Sequence, residues 1–153
     1  MREIIFRGKR LDNGEWVYGH IYTQVDLPDT IEEEWYWYIN PIGSGSWVSY
    51  RVDPYTVGQY TGLKAKDGKR IFEGDIIKAD NGNCSSISVV KFGRYYPKMF
   101  YAMLDMCCPG TRHLTANGFY AETTKHADMI LFKSPYLEVI GNIHDNPELI
   151  YKE

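Results

Sequence analysis

Lys64, Lys66, Lys69 and Arg70 crowd around the Asp67–Gly68 pair, and so dense a group of cations is a first place to look for chemistry. Such a cluster can meet phosphate oxygens or an acidic partner, but lysines at a hairpin tip also serve solubility and edge protection. The second role is the favoured reading. The run superficially resembles a phosphate-binding loop. However, Gly62 and Gly68 lie one residue further apart than that loop allows, and Arg70 stands where a Ser or Thr hydroxyl would ligate magnesium. A second group is aromatic: Trp35, Tyr36, Trp37, Tyr38, Trp47 and Tyr50. Rings of this size stack on nucleobases, pack against another subunit, or fill a core.

Candidates for catalysis are weaker. Glu73 and Asp75 have the spacing of an acid–base pair on one strand face, yet Glu-Gly-Asp also reads as a polar turn into a strand. Cys84, Cys107 and Cys108 form no CxxC pair. The adjacent Cys107 and Cys108 cannot readily place two thiolates at one tetrahedral centre with His113, so no metal is expected. His20 falls inside a strand-like alternation and reads as structural, and His144–Asp145 reads as a turn. No Ser or Cys stands in an activated setting. The expectation is a non-catalytic protein without a cofactor.

The elements that would position these residues are strands. Ile4, Ile5 and Phe6 open one, Asp12-Asn13-Gly14 makes a turn, and Trp16–Thr23 returns with Trp16, Tyr18, His20 and Tyr22 on one face. Val25–Glu34, with Pro28 and an acidic run, reads as a solvated loop. Trp35–Asn40, the GSGS turn at Gly43–Ser46 and Trp47–Val52 read as a hairpin with long aromatic arms. Asp53–Ala79 has the densest strand and turn signals: a strand from Val57, a tight primed turn at Asp67–Gly68, a second strand, a turn at Glu73–Asp75, and a third strand. This predicts a three-stranded meander. Ile87–Phe92 reads as a strand, 95–106 as a strand with a competing helical stripe of Met99, Met103 and Met106, and Thr111–Gly118 as loop. Phe119–Ala127 shows no pattern. Met129–Phe132 and Tyr136–Ile143 read as the last strands, before at most one helical turn begun by Asn146-Pro147.

Within the central stretch, VGQYTGLKAKDGKRIFEGDI resembles the signature of the YopX-like proteins of bacteriophages and prophages, whose pattern is VGQYTGLKDKNGK, an aromatic residue and EGDI. Two flanking pieces strengthen the resemblance: IIFRGKRLDNGEWVYG from Ile4 to Gly19, and LEVIGNIHDNPELI from Leu137 to Ile150. Together they bracket nearly the whole chain. The resemblance implies a phage or prophage accessory protein and brings no catalytic residues, cofactor or ligand with it. Gly58, Gly62, Gly68, Gly74 and Gly141 read as choices that shape the backbone.

A chain of 153 residues suits one domain, 1–153, large enough to bury a core without disulfides or metal. With 15% aromatic residues, 13 of them Tyr, an all-helical protein is disfavoured and sheets are expected. The fold class predicted is mainly β, a single antiparallel barrel-like or strongly curved-sheet domain with little helix. Seventeen basic against 20 acidic residues, a formal net charge of -3, argue against general coating of nucleic acid but not against a local basic patch. The odd cysteine count and the lack of a signal-like N-terminus point to the cytoplasm, and no apolar run suffices for a membrane helix. The partners expected are a second copy of the chain through its aromatics, or a host or phage protein. The alternative is a nucleic-acid-binding regulator that uses the Lys64–Arg70 hairpin and nearby rings.

Overall fold

The computed structural model describes residues 3–26, 34–44, 48–80, 85–95, 116–123, 129–130 and 135–151. Expectations for Trp47, Cys84, Cys107, Cys108, His113 and the stretch 96–106 lie outside the described residues. Eleven strands appear among those described: β1 (Phe6–Lys9), β2 (Trp16–Asp26), β3 (Glu34–Pro41), β4 (Tyr50–Val52), β5 (Gly58–Lys64), β6 (Arg70–Phe72), β7 (Asp75–Asp80), β8 (Ser85–Tyr95), β9 (Ala116–Thr123), β10 (Met129–Ile130) and β11 (Leu137–Asn142). The only helical pieces described are 3₁₀ turns at Pro54–Thr56 and Pro147–Tyr151, in keeping with the mainly β expectation.

The strands hydrogen bond in the orders β4-β3-β2-β1-β5-β6 and β10-β9-β8-β7-β11, and the described pairings are antiparallel. Among the described residues both sheets are open, so the mainly antiparallel β fold that was expected forms without closing into a barrel. The chain forms two compact units, Met1–Tyr60 and Thr61–Glu153, with the boundary inside β5.

In the first unit, Arg10-Leu11-Asp12-Asn13-Gly14 turns β1 into β2, with Arg10 N–H donating to Glu15 O (2.9 Å) and Gly14 N–H to Arg10 O (2.9 Å). Val17, Ile39 and Val52 form the buried centre, with Phe6, Ile21, Tyr50 and Val57 packed on it. Asp53 caps the first 3₁₀ turn, accepting from Tyr55 N–H at 3.0 Å, and Thr56 Oγ1 takes the Lys9 N–H at 2.8 Å. That lock ends β4 after three residues.

Here the structure departs from the sequence reading. The long partner of β3 is β2, in register from Gly19–Pro41 to Asp26–Glu34, whereas β4 pairs with β3 only at Trp37, Tyr38 and Ile39. Glu34, expected in a loop, is already strand. Close approach sets this register: a Cβ built on Gly19 would lie 1.8 Å from the Asn40 carbonyl oxygen, so only glycine fits there.

In the second unit, Ala65, Ile71, Ile77, Val90, Ala121 and Leu137 form the core. The predicted meander is corrected. The β5–β6 hairpin forms, but β7 pairs with β8 on one side and β11 on the other, so the third strand joins another sheet. The hairpin turn also differs from the primed type expected. Ala65 O accepts from Gly68 N–H (2.9 Å) and Ala65 N–H donates to Lys69 O (2.8 Å), with Gly68 at φ +83° and no non-glycine residue at positive φ among those described. This is a turn closed by a left-handed glycine, a common three-residue hairpin. β9, read as loop and unpatterned sequence, is strand because β8 supplies its partner, Phe92 opposite Phe119 and Val90 opposite Ala121. The pairing overrides the weak strand propensity of Ala, Asn and Gly.

Candidate functional site

Pairing assigns each aromatic of β2–β4 to a face, since directly opposed residues in a ladder share one. One face carries Trp16, Tyr18, His20, Tyr22 and Gln24 of β2, Tyr36, Tyr38 and Asn40 of β3 opposite them, and Arg51 opposite Tyr38. The other carries Val17, Ile21, Thr23 and Val25, with Trp35, Trp37 and Ile39. The expected alternation of Trp35 and Trp37 against Tyr36 and Tyr38 is therefore present, and so is the face shared by Trp16, Tyr18, His20 and Tyr22.

On the first face, the Tyr22 and Tyr38 rings stack with centroids 5.5 Å apart and planes 16° apart. The Arg51 guanidinium lies over Tyr36 at 3.3 Å, and Arg7 and Lys9 lie over Trp16 at 4.7 and 5.5 Å. Stacked cations of this kind gain from the ring quadrupole. Tyr18 and Tyr22 remain 43% and 40% exposed. On the second face, the aliphatic core gives way outward to Trp37, 37% exposed, and then Trp35, 61% exposed. Tyr50, opposite Ile39, lies on this second face, packed on the Val17–Ile39–Val52 cluster with Arg10 over it at 3.7 Å. Of the six aromatics singled out from sequence, Tyr36 and Tyr38 thus lie on one face and Trp35, Trp37 and Tyr50 on the other, with Trp47 outside the described residues.

The basic hairpin is less available than its composition suggests. Lys66 Nζ donates to Glu138 Oε2 at 2.6 Å, and its N–H donates to Leu137 O at 2.8 Å. The hydrogen bond to Glu138 and that carboxylate's charge hold the Lys66 ammonium above the usual lysine range. Lys64 and Lys69 are exposed and Arg70 is half-buried.

Glu73 and Asp75 do not form an acid–base pair in solvent. Asp75 is 1% exposed, and its Oδ2 accepts the Phe72 N–H at 2.7 Å. Gly74 between them donates to Val90 O (2.8 Å) and accepts from Ile143 N–H (2.9 Å). Thr61 Oγ1 likewise donates to Ile71 O and accepts from Leu63 N–H. The polar residues of the signature close backbone turns inside the protein. His144–Asp145 is a turn, as expected, with both N–H groups on Asn142 Oδ1 at 2.9 Å. Among the described residues no three His, Cys, Asp or Glu side chains gather as a metal site would need. No helix described is long and apolar enough to cross a membrane.

Tyr18, Tyr22 and Arg51 were not candidates on sequence grounds. The alternation of β2 was visible, but only the β2–β3–β4 register brings Tyr22 to Tyr38 and Arg51 to Tyr36.

These surfaces belong to a protein of mainly antiparallel β class with two open sheets. The family model described as YopX protein matches residues 5–151, and the chain belongs to the YopX protein family. Among solved structures it is similar to "Crystal structure of protein EF1440 from Enterococcus faecalis", at 19% identity over 98% of this chain and 99% of that one, with a TM-score of 0.47. Comparison with curated proteins gave no match.

Proposed function

We propose that the chain is a non-catalytic binding or assembly module, a phage- or prophage-derived accessory protein that works in the bacterial cytoplasm through protein contacts, first of all with a second copy of itself. Trp35 and Trp37 carry this proposal: two large rings continue the core stripe of β3 beyond the cover of that core. Aromatics in such positions are the usual anchors of an interface centre, and closed symmetric dimers are its commonest outcome. Host or phage proteins are further partners for the same surface.

Light scattering behind a sizing column tests this at micromolar concentration. A dimer mass is expected, reduced to the 17.8 kDa of one chain by Trp35→Ala with Trp37→Ala. A wild-type mass of one chain, unchanged on concentration, would remove self-association. The alternative, a nucleic-acid-binding regulator contacting its ligand through the Lys64–Arg70 hairpin, has less support because Glu138 engages Lys66.

A further inference from the structure

We infer that Asn13-Gly14, in the turn from β1 to β2, is a site of spontaneous deamidation that the folded turn holds shut. The reaction needs a backbone nitrogen that can approach the preceding side-chain amide, and glycine, with no Cβ, leaves that approach open. Among the described residues nothing beyond its chain neighbours lies within 4 Å of the place a Gly14 Cβ would take, and residues 11–15 are exposed, so water reaches the pair. The Gly14 nitrogen gives its proton to a solvent base and bonds to Asn13 Cγ, the Cγ–Nδ2 bond breaks, and ammonia leaves. Water then opens the cyclic imide at one carbonyl or the other, to aspartate or isoaspartate. Nothing is oxidised or reduced.

Each group that must react is held. The Gly14 N–H donates to Arg10 O at 2.9 Å, so the proton that must leave faces a carbonyl of the chain. Asn13 Oδ1 accepts the Glu15 N–H at 3.0 Å, and Nδ2, the leaving nitrogen, donates to Glu15 Oε2 at 2.8 Å. The frame of the turn is anchored in turn: Arg10 N–H donates to Glu15 O at 2.9 Å, while its guanidinium lies over Tyr50 at 3.7 Å and donates to Asp12 Oδ1 at 2.9 Å. Opening of this turn, a local event that leaves the sheets intact, therefore sets the rate. The product does not close again. Aspartate at position 13 loses the donor that met Glu15 and sets a carboxylate against it, and isoaspartate adds a methylene to the backbone of a turn closed by two short hydrogen bonds. The pair thus keeps a permanent chemical record of each opening that ends in reaction.

Peptide mapping by mass spectrometry tests the inference on the full chain, kept in warm, mildly alkaline buffer with a parallel sample unfolded in urea. Asn81-Gly82 and Asn117-Gly118 fall in other tryptic peptides, so position 13 is read by itself. Asn13 is expected to deamidate in urea, and roughly tenfold more slowly or less in the folded protein. Glu15→Ala, which takes away the acceptor of Nδ2, should speed the folded-state reaction roughly fivefold and leave the rate in urea as it was. Glu15→Gln, whose side-chain oxygen still accepts from Nδ2, should stay near wild type. Wild type in urea below its unfolding transition gives a second reading: the Asn13 rate should rise before circular dichroism shows loss of the sheet signal. Equal rates in folded and unfolded wild type would overturn the inference, as would an Asn13 that stays intact in urea or a folded Glu15→Ala with the wild-type rate. If Glu15→Ala does not fold, the wild-type series decides, and a rate that rises only with loss of the sheet signal sinks the turn as the guard.

Discussion

The Gly58–Ile77 stretch and the β2–β3 pair use polar and aromatic residues in opposite ways. In the former, Thr61, Asp67 and Asp75 each place a side-chain oxygen on a neighbouring backbone group, and the residues around Asp75 are mostly buried while Asp67 sits at the exposed hairpin tip. In the latter, Tyr18, Tyr22, Trp35 and Trp37 keep much of their ring surface in solvent. The family signature therefore marks the part of the chain that builds the fold. The exposed rings lie in β2 and β3, largely outside the signature.

The most damaging change should be Asp75→Ala. It removes the acceptor of the Phe72 N–H inside the protein and should cost about 3 kcal/mol in urea unfolding, with Asp75→Asn intermediate. If Asp75→Ala were neutral, the signature would not be structural and the contrast would collapse. Gly19→Ala comes next, since its Cβ must displace the Asn40 carbonyl, and should cost roughly 2 kcal/mol by the same measurement. A neutral result would mean the β2–β3 register is soft.

Trp35→Ala with Trp37→Ala sharpens the other side of the comparison. It should weaken self-association by about thirtyfold or more in sedimentation equilibrium while the far-UV spectrum stays that of a sheet protein. Lys66→Glu with Lys69→Glu is expected to leave folding intact, although it sets a second carboxylate beside Glu138 and so lowers the thermal midpoint slightly. If the chain binds nucleic acid and this double change alters neither affinity nor salt dependence, the hairpin is not its contact.

The smallest effect is at Asp12. Arg10 donates to it through Nε at 2.9 Å and through a second, shorter contact, which holds the Asp12 carboxyl below the usual carboxylate range. A folded-state value below the unfolded one stabilises above the unfolded value and fades as pH falls through the folded one. Asp12→Asn should therefore flatten the acid limb of a stability profile by a barely measurable amount, the Asp12 side chain being 60% exposed.

Local signals account for most of what was legible in the sequence. Asp-Asn-Gly and Asp-Gly turns, the period-two run at Trp16–Thr23 and the helical start at Asn146-Pro147 all depend on residues a few positions apart, and each has its counterpart in the structure. What was not legible depends on long-range choice. Nothing near Trp35 says that β2 rather than β4 is its main partner, because both flanking segments carry aromatic and β-branched residues. β9 was hidden because Phe92 and Val90, far away in sequence, give its Ala-Asn-Gly start a ladder to join. Glu73-Gly74-Asp75 read only as a polar turn into a strand. Its burial becomes visible only once Val90 and Ile143 close on Gly74.

The seating of β11 beside β7 has a consequence for synthesis. β7 pairs with β11 from Asp75–Asn142 to Ala79–Leu137, and Lys66 N–H also reaches Leu137 O, so one flank of β7 and the hairpin loop wait for residues roughly sixty positions later. While the ribosome is still adding the stretch before Leu137, β7 presents the apolar Ile76 and Ile77 on a strand with an unpaired edge. Loop closure over so long a separation is slow compared with hairpin formation. A nascent chain must therefore carry an exposed, aggregation-prone edge until Leu137–Asn142 emerges, and a chain that stops short of Leu137 would keep that edge for good.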